Sequence, residues 1–268
     1  MSIQRMPVQL DQSDQARLGG ERGATAATAM QVLAAFAGAV GAPRLLLVSG
    51  SGSDLRRQPR MHDDRTLADR FEILAYDHRG LGRSVPDDPE REPTMADFAA
   101  DAVGLLDHVG WDTCRVLGVS FGGMVAQELA VTAQERITRL CLACTSPGGA
   151  GGSSAPLHTL ADLPPDERLA QQVAWLDTRT VDDPELRASW TEIMAALTGV
   201  EPTEGMRLQL QARSHHDVWD RLPRLDLPVL IAAGRFDGIA APANQEALLS
   251  QIQGADLRWF DGGHAFFL

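Results

Sequence analysis

A serine set among glycines, Gly118-Val-Ser120-Phe-Gly122-Gly123, is the strongest chemical signal in this 268-residue chain. A GxSxG pentapeptide alone is weak, since composition predicts roughly 0.1 chance occurrences in such a chain, so its context decides. It follows an apolar run and precedes a helix-period segment, where a sharp turn lifts the serine above a sheet edge. Glycine on both sides removes Cβ atoms that would collide in that turn. The alternative is a merely structural Gly-rich turn. A serine hydroxyl is a weak nucleophile at neutral pH and needs a base, itself oriented by an acid. Asp237, in Gly234-Arg-Phe-Asp-Gly238, and His264, in Asp261-Gly-Gly-His-Ala265, each follow a later apolar run. Taken singly, Asp237 also fits the cap of a following helix and His264 a surface loop. Jointly with Ser120 they supply the parts for acyl transfer.

Acyl transfer also needs two N–H donors for the oxyanion. The backbone N–H of Phe121, next to the serine, is one candidate. The other comes from Ser49-Gly-Ser-Gly-Ser53, where Ser51 is best placed. A phosphate-binding loop is excluded there because neither GxGxxG nor GxxxxGK[ST] is present. Cys141 and Cys144 form a CxxC, yet they fall on a buried strand where residues three apart point to opposite faces. His215-His216-Asp217 is the one metal-like cluster. Adjacent histidines on a helix point about 100° apart, which argues for a solvated surface, so no metal and no cofactor is expected.

Short apolar runs, most of them continuous, supply the frame: Leu45–Val48, Ile73–Tyr76, Cys114–Val119, Leu140–Cys144, Val229–Ala233 and Leu257–Phe260. Such runs suit parallel strands covered on both faces. Between the second and third, Thr94 is an N-cap with Asp97 three residues on, and Met95, Phe98, Ala99, Ala102, Leu105, Leu106 and Val109 form one helical stripe. Gly122 to Ala133 is a second helix, so strand, helix and strand alternate as in an α/β sheet. After Pro147-Gly-Gly-Ala-Gly-Gly-Ser-Ser154 the rhythm changes. Pro164-Pro165 and Asp183-Pro184 start helices, and Leu186, Trp190, Ile193, Met194 and Leu197 share one face. Residues 147–225 thus read as a helical lid of about 75 residues, inserted in a core of residues 42–146 and 226–268. Trp175, Trp190 and Trp219 fall in or near it, either as the apolar roof of a substrate pocket or as the lid's own core. Residues 1–41 show no strand alternation, and Ala24 to Val40 reads as an Ala-rich helix.

The 44% apolar residues suffice for a sizeable core and exclude disorder. A formal charge of −12 opposes nucleic-acid or anionic-membrane surfaces. Three cysteines suit a reducing compartment, hence a cytoplasmic location. No run of about 18 apolar residues spans a bilayer. Ala37-Gly-Ala39 resembles a cleavage site, but the preceding stretch is long and mixed in charge, against a signal peptide. The expected partner is a small-molecule ester or lactone, with neither nucleic acid nor membrane; a homodimer is left open.

From Ala42 onward the chain resembles the α/β-hydrolase superfamily, and within it the lid-bearing serine esterases and 3-oxoadipate enol-lactonases. The motifs, in order, are Ser49-Gly-Ser-Gly52, Asp77-His-Arg-Gly-Leu-Gly-Arg-Ser84, Gly118-Val-Ser-Phe-Gly122, Gly234-Arg-Phe-Asp237 and Gly262-Gly-His264. The resemblance implies a mostly parallel sheet flanked by helices, a catalytic triad of Ser120, Asp237 and His264, and a serine hydrolase acting on an ester or lactone through an acyl-enzyme. The same fold also supports thioester or C–C bond hydrolysis, perhydrolysis and non-catalytic binding. Three departures stand out. Ser49 replaces the histidine common in the oxyanion loop, the usual N-terminal strand hairpin is not evident, and the sequence stops four residues past His264, at Ala265-Phe-Phe-Leu268, where a closing helix is usual.

Overall fold

Leu46 and Val48 point into one core while Leu45 and Leu47 point into another, so four successive residues of one short strand are apolar. Leu74 and Tyr76 alternate with Ile73 and Ala75 in the same way. This double covering explains the continuous apolar runs. The structure is a computed structural model that describes residues 8–10, 32–56, 61–86, 88, 91–197 and 203–267. Its strands are β1 (Val8–Leu10), β2 (Val32–Gly38), β3 (Arg44–Val48), β4 (Glu72–Tyr76), β5 (Cys114–Val119), β6 (Ile137–Ala143), β7 (Val229–Gly234) and β8 (Asp256–Phe260). They form one sheet of eight strands in the order β1-β2-β4-β3-β5-β6-β7-β8. Every pairing is parallel except β2 with β4.

The helices are α1 (Arg65–Ala68), α2 (Met95–Val109), α3 (Phe121–Thr132), α4 (Pro165–Leu176), α5 (Pro184–Leu197), α6 (Glu204–Ser214) and α7 (Pro242–Gln251). Helix α2 begins in a capping box: the Asp97 N–H donates to Thr94 Oγ1 and the Thr94 N–H donates to Asp97 Oδ2. It ends at Gly110 in the left-handed conformation, φ +71°. All seven stripe residues are buried, mainly against α3. Helices α4, α5 and α6 follow one another between β6 and β7. Both expected proline starts hold, with Asp183 Oδ1 accepting the N–H groups of Glu185 and Leu186. On α5, Ile193 is exposed and Trp190 only half-buried, because that helix packs chiefly on α4.

The N-terminal expectation needs correction. Val32 to Gly38 is a strand, not the end of a helix, and pairs antiparallel with β4 from Ala34↔Tyr76 to Gly38↔Glu72. The remainder of the expected helix, residues 24–31, lies outside the described residues. Alanine favours helix over β-branched residues by only about 0.5 kcal/mol per position, less than the cross-strand bonds and burial offered by the neighbouring strand. Val32, Ala34 and Phe36 alternate into the core, and the Phe36 ring meets Trp111 edge-on at 5.9 Å. Phe36→Ala is therefore expected to lower the unfolding free energy by about 3 kcal/mol, read from urea midpoints; a loss of a few tenths would put this strand outside the core.

Candidate active site

Ser120 joins β5 directly to α3 with φ +55° and ψ −116°, a conformation a non-glycine residue adopts only when its surroundings enforce it. Those surroundings are tight. A Cβ at Gly118 would strike the Gly122 carbonyl, one at Gly122 the Val48 carbonyl, and one at Gly123 the Thr145 side chain. The Ser120 N–H donates to the Ala143 carbonyl at 2.8 Å, and Thr145 Oγ1 donates to the Ser120 carbonyl at 2.8 Å. The hydroxyl thus stands at the N-terminus of α3, where the first N–H groups have no intrahelical acceptor and the helix dipole favours negative charge.

The structure brings Ser120, His264 and Asp237 together. His264 Nε2 lies 2.8 Å from Ser120 Oγ, and Nδ1 lies 2.8 Å from Asp237 Oδ2. Asp237 is 2% exposed and His264 8%. Asp237 does not cap the following helix, which begins at Pro242 after Ala241. Its Oδ1 accepts the N–H groups of Ile239 and Ala240, both at 2.8 Å, which fixes the carboxylate while Oδ2 faces the ring. The loops of Asp237 and His264 are both tied to the end of α4. The His264 N–H donates to the Leu176 carbonyl at 2.6 Å, the Gly238 N–H to that of Trp175 at 3.0 Å, and the Thr178 N–H to that of Phe236 at 2.9 Å. Past His264, Phe266 stacks on Phe260 with ring centroids 4.7 Å apart.

The Ser49–Ser53 loop passes beside the serine: a Cβ on Gly50 would sit 3.6 Å from that of Ser120. In place of a histidine within the loop, His78 Nε2 reaches the Ser49 carbonyl at 3.0 Å. Burial pushes His78 down to about 4, so its ring is neutral and donates from Nε2. It is held edge-on by Tyr76, Phe98 and Phe121. Asp77 secures the flanks, its carboxylate accepting the N–H groups of Leu55 and Arg83. Arg79 pairs bidentately with Asp101 at 2.6 and 2.7 Å. A further bond was not legible in the sequence. The Gly52 N–H donates to Oε1 of the buried Gln209, on α6, at 2.8 Å. One turn on, Arg213 is also buried. Only their one-turn spacing on a helix, amid apolar neighbours, hinted that they face inward.

The three tryptophans are dispersed. Trp175 contributes its carbonyl to Gly238, Trp219 packs on the main core and against Gly151, and Trp190 is half-buried on α5. None of them lines the cavity beside α6. His216 is buried, contrary to the solvated surface expected of that cluster, while His215 is exposed. The cysteines are free, and burial pushes Cys114 up to about 12 and Cys141 up to about 11, which keeps both thiols protonated.

Residues 42–264 match the family Hydrolase_4, described as serine aminopeptidase, S33, and the chain belongs to that family. A relative from Caulobacter vibrioides (strain NA1000 / CB15N), named “Putative carbamate hydrolase RutD”, is 30% identical over 240 residues, covering 83% of each chain. The 3-oxoadipate enol-lactonase 2 of Acinetobacter baylyi is 28% identical over 73% of each. Among solved structures, the enol-lactonase from Burkholderia xenovorans LB400 superposes with a TM-score of 0.68 at 25% identity, covering 87% of this chain and 89% of that one. The fold is that of the α/β-hydrolases, and the protein is a hydrolase.

Two buried histidines make stability depend on pH. Burial, reinforced for His216 by Arg221, lowers His78 to about 4 and His216 to about 3 from 6.5. Between those limits the unfolded chain binds protons that the folded chain refuses. The stabilisation is complete above about pH 6.5 and is lost as the pH falls toward about 4. Urea midpoints are expected to decline from about pH 7 to about pH 5, and to decline less steeply in His216→Asn; equal slopes would show that this ring is not held neutral.

Proposed function

We propose that the protein is a serine hydrolase that cleaves carboxylic esters or lactones through an acyl-enzyme. Ser120 Oγ attacks the carbonyl carbon, and its proton passes to His264 Nε2. Asp237 Oδ2 holds Nδ1–H and stabilises the imidazolium. The C–O bond of the tetrahedral intermediate then breaks as His264 returns the proton to the leaving alkoxide. Water repeats the sequence on the acyl-enzyme, releasing the acid and restoring Ser120. The backbone N–H groups of Phe121 and Ser51 are assigned to the oxyanion. Helices α4 to α6 serve as the lid, with Gln209 resting on the oxyanion loop.

The observation that carries this reading is the continuous Ser120–His264–Asp237 chain at 2.8 Å per contact, with the serine in its left-handed turn. The named substrate classes of the relatives, a carbamate and an enol-lactone, also support it, because each presents an acyl carbon to a nucleophile. No cofactor is required, and the free cysteines fit a reducing cytoplasm. No helix among the described residues is long and apolar enough to cross a membrane.

Hydrolysis of short- to medium-chain p-nitrophenyl esters tests the proposal. Ser120→Ala and Asp237→Asn are each expected to lower kcat by about 10,000-fold or more with KM little changed. Equal rates for wild type and Ser120→Ala would overturn the serine mechanism. Full activity in Asp237→Asn would reassign the acid.

A further inference from the structure

The loop N–H assigned to the oxyanion, that of Ser51, belongs to a peptide set between Gly50 and Gly52. Glycine lets a peptide plane rotate at little cost, whereas an oxyanion hole works because its donors are aimed before charge develops. The Ser51 N–H therefore needs its orientation fixed by neighbours, and three bonds act on the loop in succession. His78 Nε2 donates to the Ser49 carbonyl at 3.0 Å, on the peptide before the donor. The Ser53 N–H donates to the Gly50 carbonyl at 3.3 Å, on the donor peptide itself. The Gly52 N–H donates to Gln209 Oε1 at 2.8 Å, on the peptide after it.

Only the last of these bonds comes from the insertion, and α6 is shaped to deliver it. Gly205, in the first turn, meets the core backbone to backbone: a Cβ there would strike the Gly80 carbonyl. Met206 lies against the loop, where a Cβ added to Gly52 would sit 3.2 Å from Met206 Cε. Gln209 follows one turn later on the same side of the helix and is fully buried. Its Nε2 has no hydrogen-bond partner. An amide buried with its NH2 group unpaired is unfavourable, so packing alone would favour an apolar side chain at this position. What glutamine adds is an acceptor for Gly52.

We propose that Gln209 is a positioning residue for the oxyanion hole, an inference that rests on the serine-hydrolase reading above. It holds the Ser51–Gly52 peptide and thereby keeps the Ser51 N–H aimed at the oxygen that becomes the oxyanion. It acts through the loop and not on the substrate. One side chain of the insertion thus sets the alignment of a donor in the core, with His78 setting it from the core side. Removing the acceptor leaves the Ser51 N–H present but free to turn, so transition-state stabilisation falls while ground-state binding is kept.

Two measurements test this. The first is the hydrolysis of p-nitrophenyl butyrate by Gln209→Met and Gln209→Glu. Methionine matches the length of the side chain but removes the acceptor. Glutamate keeps it and has the Arg213 guanidinium one turn away to balance its charge. Gln209→Met is expected to lower kcat by about 10- to 100-fold with KM within about threefold of wild type, and Gln209→Glu to restore kcat to within about fivefold. The second is amide hydrogen exchange at Gly52, followed by NMR. In wild type it should be slowed at least about 100-fold relative to unstructured chain, and Gln209→Met should release it. An unprotected Gly52 N–H in wild type, an unchanged kcat in Gln209→Met, or an equal loss in both variants would overturn the proposal. The wild-type exchange decides even if the variants fail to fold. If Ser120→Ala keeps hydrolysing the ester, the serine mechanism fails, while the exchange rates still report whether Gln209 holds the loop.

Discussion

The left-handed turn at Ser120 is the constraint around which the rest of the sheet edge is arranged. A non-glycine residue in a sparsely populated backbone region costs of order 1–3 kcal/mol, so the turn persists only where neighbours leave no alternative. Those neighbours are backbone: carbonyls of Val48 and Gly122 abut the glycines on either side, and the Ala143 carbonyl takes the serine N–H. Strain also extends to the adjacent strand. Cys144, the residue after β6, is the other non-glycine at positive φ among the described residues, at +44°, and is fully buried. Two strained residues at the ends of paired strands let the chain leave the sheet abruptly and keep a polar hydroxyl above an apolar floor of Val119, Ala143 and Ala232.

The polar groups near that turn are arranged so that few of them carry charge. His78 is neutral and donates to Ser49, which compensates for the histidine absent from the loop itself. His216 is neutral as well. Asp77 is pushed up by burial yet receives two backbone N–H groups. In so apolar a setting a fixed charge acts strongly on its surroundings, and the buried Arg213 guanidinium interacts across space with Asp237.

Much of this was legible in the sequence because it rests on local rules. The proline starts of α4 and α5, the Thr94–Asp97 capping box and the apolar strands each follow from short-range pattern. So does the placement of Ser120, Asp237 and His264 just beyond strand ends. What escaped depends on partners far along the chain. Val32 to Gly38 is alanine-rich and reads as helix, and its strand form is decided by pairing with β4, whose residues lie 34 to 42 positions away in register. Gln209 and Arg213 are unremarkable glutamine and arginine in a polar helix until Gly52 and Ala155 are brought beneath them. Trp219 shows the converse: a conspicuous residue in sequence that packs against the core.

The bonds from the last turn of α4 to the loops of Asp237 and His264 define a mechanical boundary. A carbonyl of the insertion, that of Leu176, grips the backbone of His264 itself. That end of the insertion therefore behaves as a fixed pivot: swinging it outward would carry His264 away from Ser120. Helix α6 is tied as well, through Gln209 to Gly52 and through Arg213 to Ala155, whereas α5 packs chiefly on α4. Displacing the insertion at either α4 or α6 would therefore disturb a loop beside Ser120.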